Sequence, residues 1–262
     1  MHAVTTLVDR PDFTVRRVRC REDHTRWSAP EPVVRYGLVL VRRGAFRRRG
    51  PDGTGTIDPT MGYLNVPGSE EQFAHPAGGD ECTAIGVSPD LWHGLVAERP
   101  TPAALYVDAR VDLAHRLMLR GAPEDPDFAA AEHLLRLLAA AVRGTADRTG
   151  SWRTGRDRAL VDGARDALRA GHPAAVGLVP LARLLDVSPY RLSRSFRAEV
   201  GVSLTRYRNR LRVGRAVEAL QRGADDLAGL AAELGFADQA HLTRTMRQHL
   251  DHPPGRLRHL LR

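Results

Sequence analysis

Lysine is missing from this 262-residue sequence, so all 39 basic side chains are arginine. A phosphate-binding loop of the G-x-x-x-x-G-K-[ST] kind is thereby excluded, because it needs the lysine. What remains is a set of planar, bidentate donors suited to phosphate and guanine, although a GC-rich genome would produce the same preference. Cysteine is nearly missing too. Cys20 and Cys82 stand alone without a C-x-x-C partner, which argues against a disulfide framework or a zinc cluster and makes both expected core residues. No run of about eighteen apolar residues occurs, and no basic stretch followed by an apolar core and a cleavage site opens the chain. A soluble, cytoplasmic protein with no membrane contact is the expectation. There is also no G-x-S-x-G elbow, and G-P-D-G-T-G at 50–55 reads as a hairpin turn.

The length allows one large domain or two ordinary ones, and 42% hydrophobic content is enough for real cores. Residues 1–155 hold 20 arginines against 20 acidic residues, whereas 156–262 hold 19 against 11. The whole excess of +8 therefore lies in the C-terminal part. A basic module joined to a neutral one points to a nucleic-acid reader coupled to something else.

The clearest pattern is the stretch 226–258. Leu227, Leu230, Ala231 and Leu234 fall at helical spacing and stop at Gly235, which can supply the left-handed backbone of a tight turn. Asp238 then caps a second helix, along which Leu242, Met246 and His249 or Leu250 recur. Two short helices about a glycine turn make a helix-turn-helix, and Gln239, His241, Thr243, Arg244 and Arg247 fall on the faces left free by the apolar stripe.

An earlier copy repeats the arrangement. Val179, Leu181, Ala182 and Leu185 form its first helix, Asp186 turns, and Ser188 caps a second helix with Pro189 at its first position. Tyr190, Arg191, Ser193 and Arg194 lie off the stripe of Leu192 and Phe196. Between the copies, 203–221 reads as one helix with Leu204, Tyr207, Leu211, Val217 and Leu220 along one side, and Arg206, Arg208, Arg210, Arg212 and Arg215 mostly off it. At 1.5 Å per residue it spans roughly 28 Å, close to the 34 to 36 Å of one DNA turn. Such a rod can hold two readers in successive major grooves.

The N-terminal half reads as short strands. VVRYGLVLV at 33–41 followed by RRGAFRRRGPDGTG looks like a hairpin, with turn residues at Gly44 and 50–55. Further segments at 56–57, 62–66, 72–74 and 82–87 follow at roughly ten-residue spacing, which favours an all-β barrel or jelly roll. Val111–Arg120 and Phe128–Val142, the latter after Asp127 as N-cap, carry apolar faces and form a helical hairpin. Its stripe either mediates dimerisation or covers the barrel. The expected organisation is a barrel over 1–110, the hairpin over 111–143, a linker over 144–155 and a DNA-binding domain over 156–262.

L-A-x-x-x-G-F-x-D-Q at 230–239, H-L-x-R at 241–244, M-R at 246–247 and D-x-P-P-x-x-L-R at 251–258 together resemble the signature of the AraC/XylS family of bacterial transcription regulators. Met246, Leu250 and Leu257 stand where that family usually has aromatic residues, and Asp186 where it favours glycine. The resemblance implies two helix-turn-helix units in an all-α C-terminal domain, and an N-terminal antiparallel cupin-like β-barrel with helices that often mediate dimerisation. By the same resemblance Tyr190, Ser193 and Arg194, with Gln239, Ala240, His241 and Arg244, match base-contacting positions. Arg191 joins them from its place on the second helix of the earlier copy, while Arg197, Arg206 and Arg247 are assigned to phosphates. The partner is a double-stranded DNA operator; RNA polymerase, a small-molecule effector and a second copy of the chain complete the set.

Tyr36, Phe46, Tyr63, Phe73 and His75 are the expected lining of an effector pocket. Metal-binding cupins set two or more close histidines and a glutamate on adjacent strands, whereas here His75 follows the relevant turn alone, with Glu70 and Glu71 before it. No metal, cofactor or catalytic residue is therefore expected. The rival reading is a cupin-type enzyme with a basic DNA-binding appendage, and a stoichiometric transition metal would revive it.

Overall fold

The computed structural model describes residues 2–96, 104–121, 125, 128–145 and 155–261. Among the described residues the N-terminal part holds ten strands: β1 (His2–Asp9), β2 (Phe13–Cys20), β3 (Glu31–Pro32), β4 (Tyr36–Gly44), β5 (Phe46–Gly50), β6 (Gly53–Ile57), β7 (Met61–Asn65), β8 (Glu70–Ala74), β9 (Asp80–Val87) and β10 (Ala104–Tyr106). They pair antiparallel in two sheets, ordered β1-β2-β9-β4-β7-β10 and β3-β8-β5-β6.

Strand alternation sends β4 and β9 into two cores at once. Leu38, Leu40, Ile85 and Val87 face the outer side of the large sheet. Val39, Val41 and Cys82 face inward, meeting Phe46, Ile57 and Tyr63. Over the outer side lie α1 (Pro89–Val96), α2 (Ala109–Gly121) and α3 (Ala129–Thr145). The Leu134, Leu137, Leu138 and Ala141 stripe of α3 packs on Val15, Leu38, Leu40 and Ile85. The hairpin thus uses its main apolar face on its own sheet; Phe128, 76% exposed, stays outside. Asp127 and most of the expected linker fall outside the described residues.

Three expectations change. Gly44 (φ 75) is no hairpin turn. It is the corner where the chain leaves one sheet for the other, since β4 pairs with β7 and β9 and the hairpin is β5–β6. Strands β1, β2, β3 and β10 lie in stretches where no strand was expected. Arg210, expected off the apolar side of its helix, is buried.

The rest is helical: α4 (Gly155–Arg169), a short 3-10 turn (Pro173–Val176), α5 (Leu178–Leu184), α6 (Pro189–Val200), α7 (Leu204–Gln221), α8 (Leu227–Glu233), α9 (Gln239–Leu250) and α10 (Pro254–Leu261). Four of these helices, α6 to α9, start on a side-chain cap, whereas α5 follows Gly177 and has none. Ser188 accepts from Arg191 N, Ser203 from Arg206 N, Asp226 from Ala228 N and Gly229 N, and Asp238 from His241 N. The turns use left-handed backbone at Asp186 (φ 52) and Gly235 (φ 73). Asp tolerates that conformation better than most residues, which is how the first unit turns without glycine.

Two cores flank α7. Tyr207 packs with Leu181, Leu192 and Phe196 of the first unit, while Val213, Ala216, Val217 and Leu220 pack with Leu230, Leu242 and Met246 of the second. Met246, Leu250 and Leu257 are all buried, so apolar side chains fill the family's aromatic positions. The N-terminal domain enters both cores, through Met61, Ala104 and Tyr106 in the first and through Ala109 and Leu113 in the second.

Candidate nucleic-acid interface and sensor cavity

Both second helices present their free faces to solvent. On α6, Tyr190, Arg191, Ser193, Arg194 and Arg197 are exposed above buried Leu192, Phe196 and Val200. On α9, Gln239, Ala240, Arg244 and Arg247 are exposed above buried Leu242, Met246 and Leu250. His241 is half-buried: its Nδ1 accepts from Ala237 N at 3.3 Å and its ring meets Phe236 edge-on at 5.4 Å. Arg191 reaches back to Asp157 at 3.5 Å. Arg206 is exposed on α7. With 18 residues, α7 spans roughly 27 Å between the two units.

Buried charge and hydrogen bonds dock that rod on the N-terminal domain. Arg210 Nε donates to Val107 O at 3.0 Å and Nη2 lies 3.3 Å from Asp112. Arg116 pairs with Asp112 at 3.2 Å and with Glu218 at 3.3 Å, and also donates to Gln221. Asp58 binds Arg165, and Arg169 at 2.9 Å, while accepting from Thr60 N and Oγ1 at 2.7 and 2.6 Å. Burial pushes the Asp58 carboxyl up, but Arg165 and Arg169 outweigh it and hold it below its usual value. Asp112 is likewise held down against burial by Arg210, Arg116 and Arg42. Alongside lies a cleft of about 590 Å³ lined by Arg42, Asp112, Arg116, Arg169, Arg210 and Arg215. None of these docking residues was singled out in the sequence as an interface. An arginine that will be buried by another domain has no local signal.

Inside the N-terminal domain, a cavity of about 280 Å³ opens between the sheets. Four of the five expected pocket residues line it: Phe46, Tyr63, Phe73 and His75. Phe46 is the hub, with its ring 5.8 Å from those of both Phe73 and His75 and 6.4 Å from that of Tyr63. Tyr36 does not line it. Its ring stacks on Trp92 at 5.1 Å, beside the large core. The cavity also holds groups that sequence spacing could not unite, among them His2, Cys20, Glu22 and His24.

Paired units on one rod, with the second helix of each exposed, define a double helix-turn-helix DNA-binding domain. Residues 181–259 match the family described as "Helix-turn-helix domain", and the chain carries an AraC-type DNA-binding domain at its C-terminus. No curated protein is similar enough to count as a match. Among solved structures, the chain is similar to unsaturated fatty acid-bound ToxT from Vibrio cholerae strain SCE256, with 10% identity, TM-score 0.41 and 96% of each chain covered. It is also similar to the C-terminal domain of AraT, a response regulator from Geobacillus stearothermophilus (24% identity, TM-score 0.36, 38% of this chain and 84% of that one). An AraC-type transcriptional regulator from Chromobacterium violaceum gives 23% identity and TM-score 0.37 over 40% of this chain and 95% of that one. These likenesses are loose, so the domain assignment rests on the sequence match and on the geometry. Among the described residues, no helix is long and apolar enough to cross a membrane.

Proposed function

We propose that this protein is a transcription regulator that reads an operator with both helix-turn-helix units and is controlled through its N-terminal domain. The observation that carries the reading is the placement of α7: one helix contributes to the cores of both units and is also docked, through Tyr207 and Arg210, on the sensing domain. A change that loosens this docking alters the freedom of both readers together.

In this reading Tyr190, Arg191, Ser193 and Arg194 face one major groove, and Gln239, Ala240, His241 and Arg244 the next. Arginine at 194 and 244 suits guanine, Gln239 suits adenine, and Ala240 offers only a methyl for thymine. Arg197, Arg206 and Arg247 grip phosphates and fix register without reading sequence. The cavity lined by Phe46, Tyr63, Phe73 and His75 is the effector site; Tyr36 is a core residue. The protein works in the cytoplasm, contacts RNA polymerase at its operator and pairs with a second copy through what α3 leaves exposed. It has no catalytic role.

Sequencing the genomic fragments that the purified protein retains tests the reading. Recovery of a shared site of about two DNA turns, lost in the Arg194→Ala, Arg244→Ala double variant, supports it. Retention of fragments without a shared sequence contradicts it.

A further inference from the structure

We infer that His2, Cys20, Glu22 and His75 bind a transition-metal ion, zinc in class, at the cavity between the sheets. One ligand atom from each residue lies within 4.8 Å of those of the other three. The residues come from the first strand, the end of the second and the bend after β8, and backbone pairing brings them together. His2 stands opposite Cys20 in the β1–β2 register, and Cys20 opposite Asp80 in the β2–β9 register. His75 is held by a two-way backbone bridge to His24, at 3.0 and 3.2 Å. The cluster is therefore set by sheet register and does not depend on mobile side chains alone.

The donor set chooses the ion. Two imidazoles and a thiol with one carboxylate suit zinc and its soft neighbours, whereas magnesium and calcium take all-oxygen shells. His75 carries the outer partner typical of a metal-bound imidazole: its Nδ1 lies 3.0 Å from Asp80 Oδ1, both side chains being buried, which leaves Nε2 for the metal. The cavity is small, and His24, Glu31 and Cys82 stand beside the four ligands at its polar end, while Val18, Val39 and Phe46 line the rest.

Tetrahedral bonds of about 2.0–2.3 Å put donors roughly 3.3–3.7 Å apart, so the shell contracts on loading. The ligands nearest the surface are His2 and Glu22, whose side chains are 52% and 29% exposed and 3.5 Å apart; Glu22 also holds His24 Nε2 at 2.8 Å and shifts from it as the shell contracts. On binding, the Cys20 thiol gives its proton to solvent and the ion stays divalent. Four protein ligands leave no open position, which fits a sensed or structural ion and not the enzyme rival. That this ion is the effector rests on the reading of the domain as the sensing one, whereas its binding does not.

The test uses the full chain, purified without a histidine tag, stripped with chelator and titrated with Co²⁺ as probe and then Zn²⁺. The expected result is one Co²⁺ per chain with tetrahedral d–d bands and a thiolate charge-transfer band, all abolished by Zn²⁺. Cys20→Ser should remove the charge-transfer band. His2→Ala, at an exposed position, and Glu22→Gln, at a half-buried one whose amide can still meet His24, should each weaken Zn²⁺ by roughly 10- to 100-fold or more. Absence of stoichiometric binding, a charge-transfer band that persists in Cys20→Ser, or Zn²⁺ affinity unchanged in both the His2 and Glu22 variants overturns the site. Operator binding measured on the same sample keeps failure of the metal distinct from failure of the regulator.

Discussion

The Tyr207 hydroxyl lies 2.9 Å from Thr60 Oγ1, with both residues buried. Thr60 in turn donates to Asp58, which holds Arg165 and Arg169 of α4. A single turn of the N-terminal domain thus grips both the rod between the readers and the helix that precedes them. A buried network of this kind specifies one docked arrangement more than it adds net stability, and here Arg165 Nε and Arg169 Nε stay buried without a partner.

Removing its central charge should be costly. Asp58→Asn leaves Arg165 buried without its main counter-ion, and breaking such a pair from one side costs about 3–5 kcal/mol. Urea unfolding of the full chain checks this. A loss within about 0.5 kcal/mol, the range of surface substitutions, would show that the pair does not anchor the domains.

Acid should weaken the protein in two windows. His115 is buried beside Thr83 at 2.9 Å, and burial, aided by Arg42, holds its imidazole down at about 3 from an ordinary 6.5. The unfolded chain takes up the proton near pH 6.5 and the folded one does not. Stability therefore falls as pH drops from 6.5 toward about 3, by up to about 1.4 kcal/mol per pH unit. Asp58 and Asp112 have depressed folded values, so their contribution is present above the ordinary 3.8 and is lost only as pH falls below it. His115→Gln should flatten the upper window and leave the lower one. Denaturant midpoints from pH 7 to 3 decide, and an unchanged slope above pH 4 would place the upper titration elsewhere.

The two turns should respond oppositely to substitution. Asp186 sits at φ 52 and Gly235 at φ 73. Asp186→Gly relieves left-handed strain and should be neutral or stabilising by up to about 1 kcal/mol. Gly235→Ala should cost about 1–2 kcal/mol, mostly from the backbone, because the atom its Cβ would crowd is the flexible Arg212 Nη2 at 2.9 Å. Thermal midpoints compare them; equal shifts of one sign would contradict the assignment.

Arginines assigned to bases and to phosphates should separate in a binding assay. Arg194→Ala and Arg244→Ala should each cost about 1–3 kcal/mol on the operator and relax preference at one base pair. Arg247→Ala should weaken all sequences alike and reduce the salt slope by about 1. Loss of affinity without loss of preference at 194 or 244 would make that residue a phosphate contact.

Local chemistry was readable in the C-terminal half, where caps and turns are side-chain events: Ser188 and Asp238 cap as read, and Ser203 and Asp226 prove to cap as well. Strands β7, β8 and β9 were also legible, because glycine and proline punctuate them, whereas the short β10 was not. What stayed hidden depends on distant partners. Arg210 looks like any other arginine of a basic helix until Val107 and Asp112 cover it. His2 and Cys20 acquire meaning only through strand register, which brings them to His75 from far along the chain. Tyr36 fits an aromatic pocket by type, and only the packing of Trp92 against it assigns it elsewhere.

The central claim is that one rod holds two readers in consecutive grooves. Base-interference footprinting on a selected operator tests it most directly, using the full chain and the Arg194→Ala and Arg244→Ala variants. The account predicts two clusters of major-groove contacts about 10–10.5 base pairs apart on one face of the duplex, one lost with each variant. A single cluster, or two on opposite faces, would contradict it.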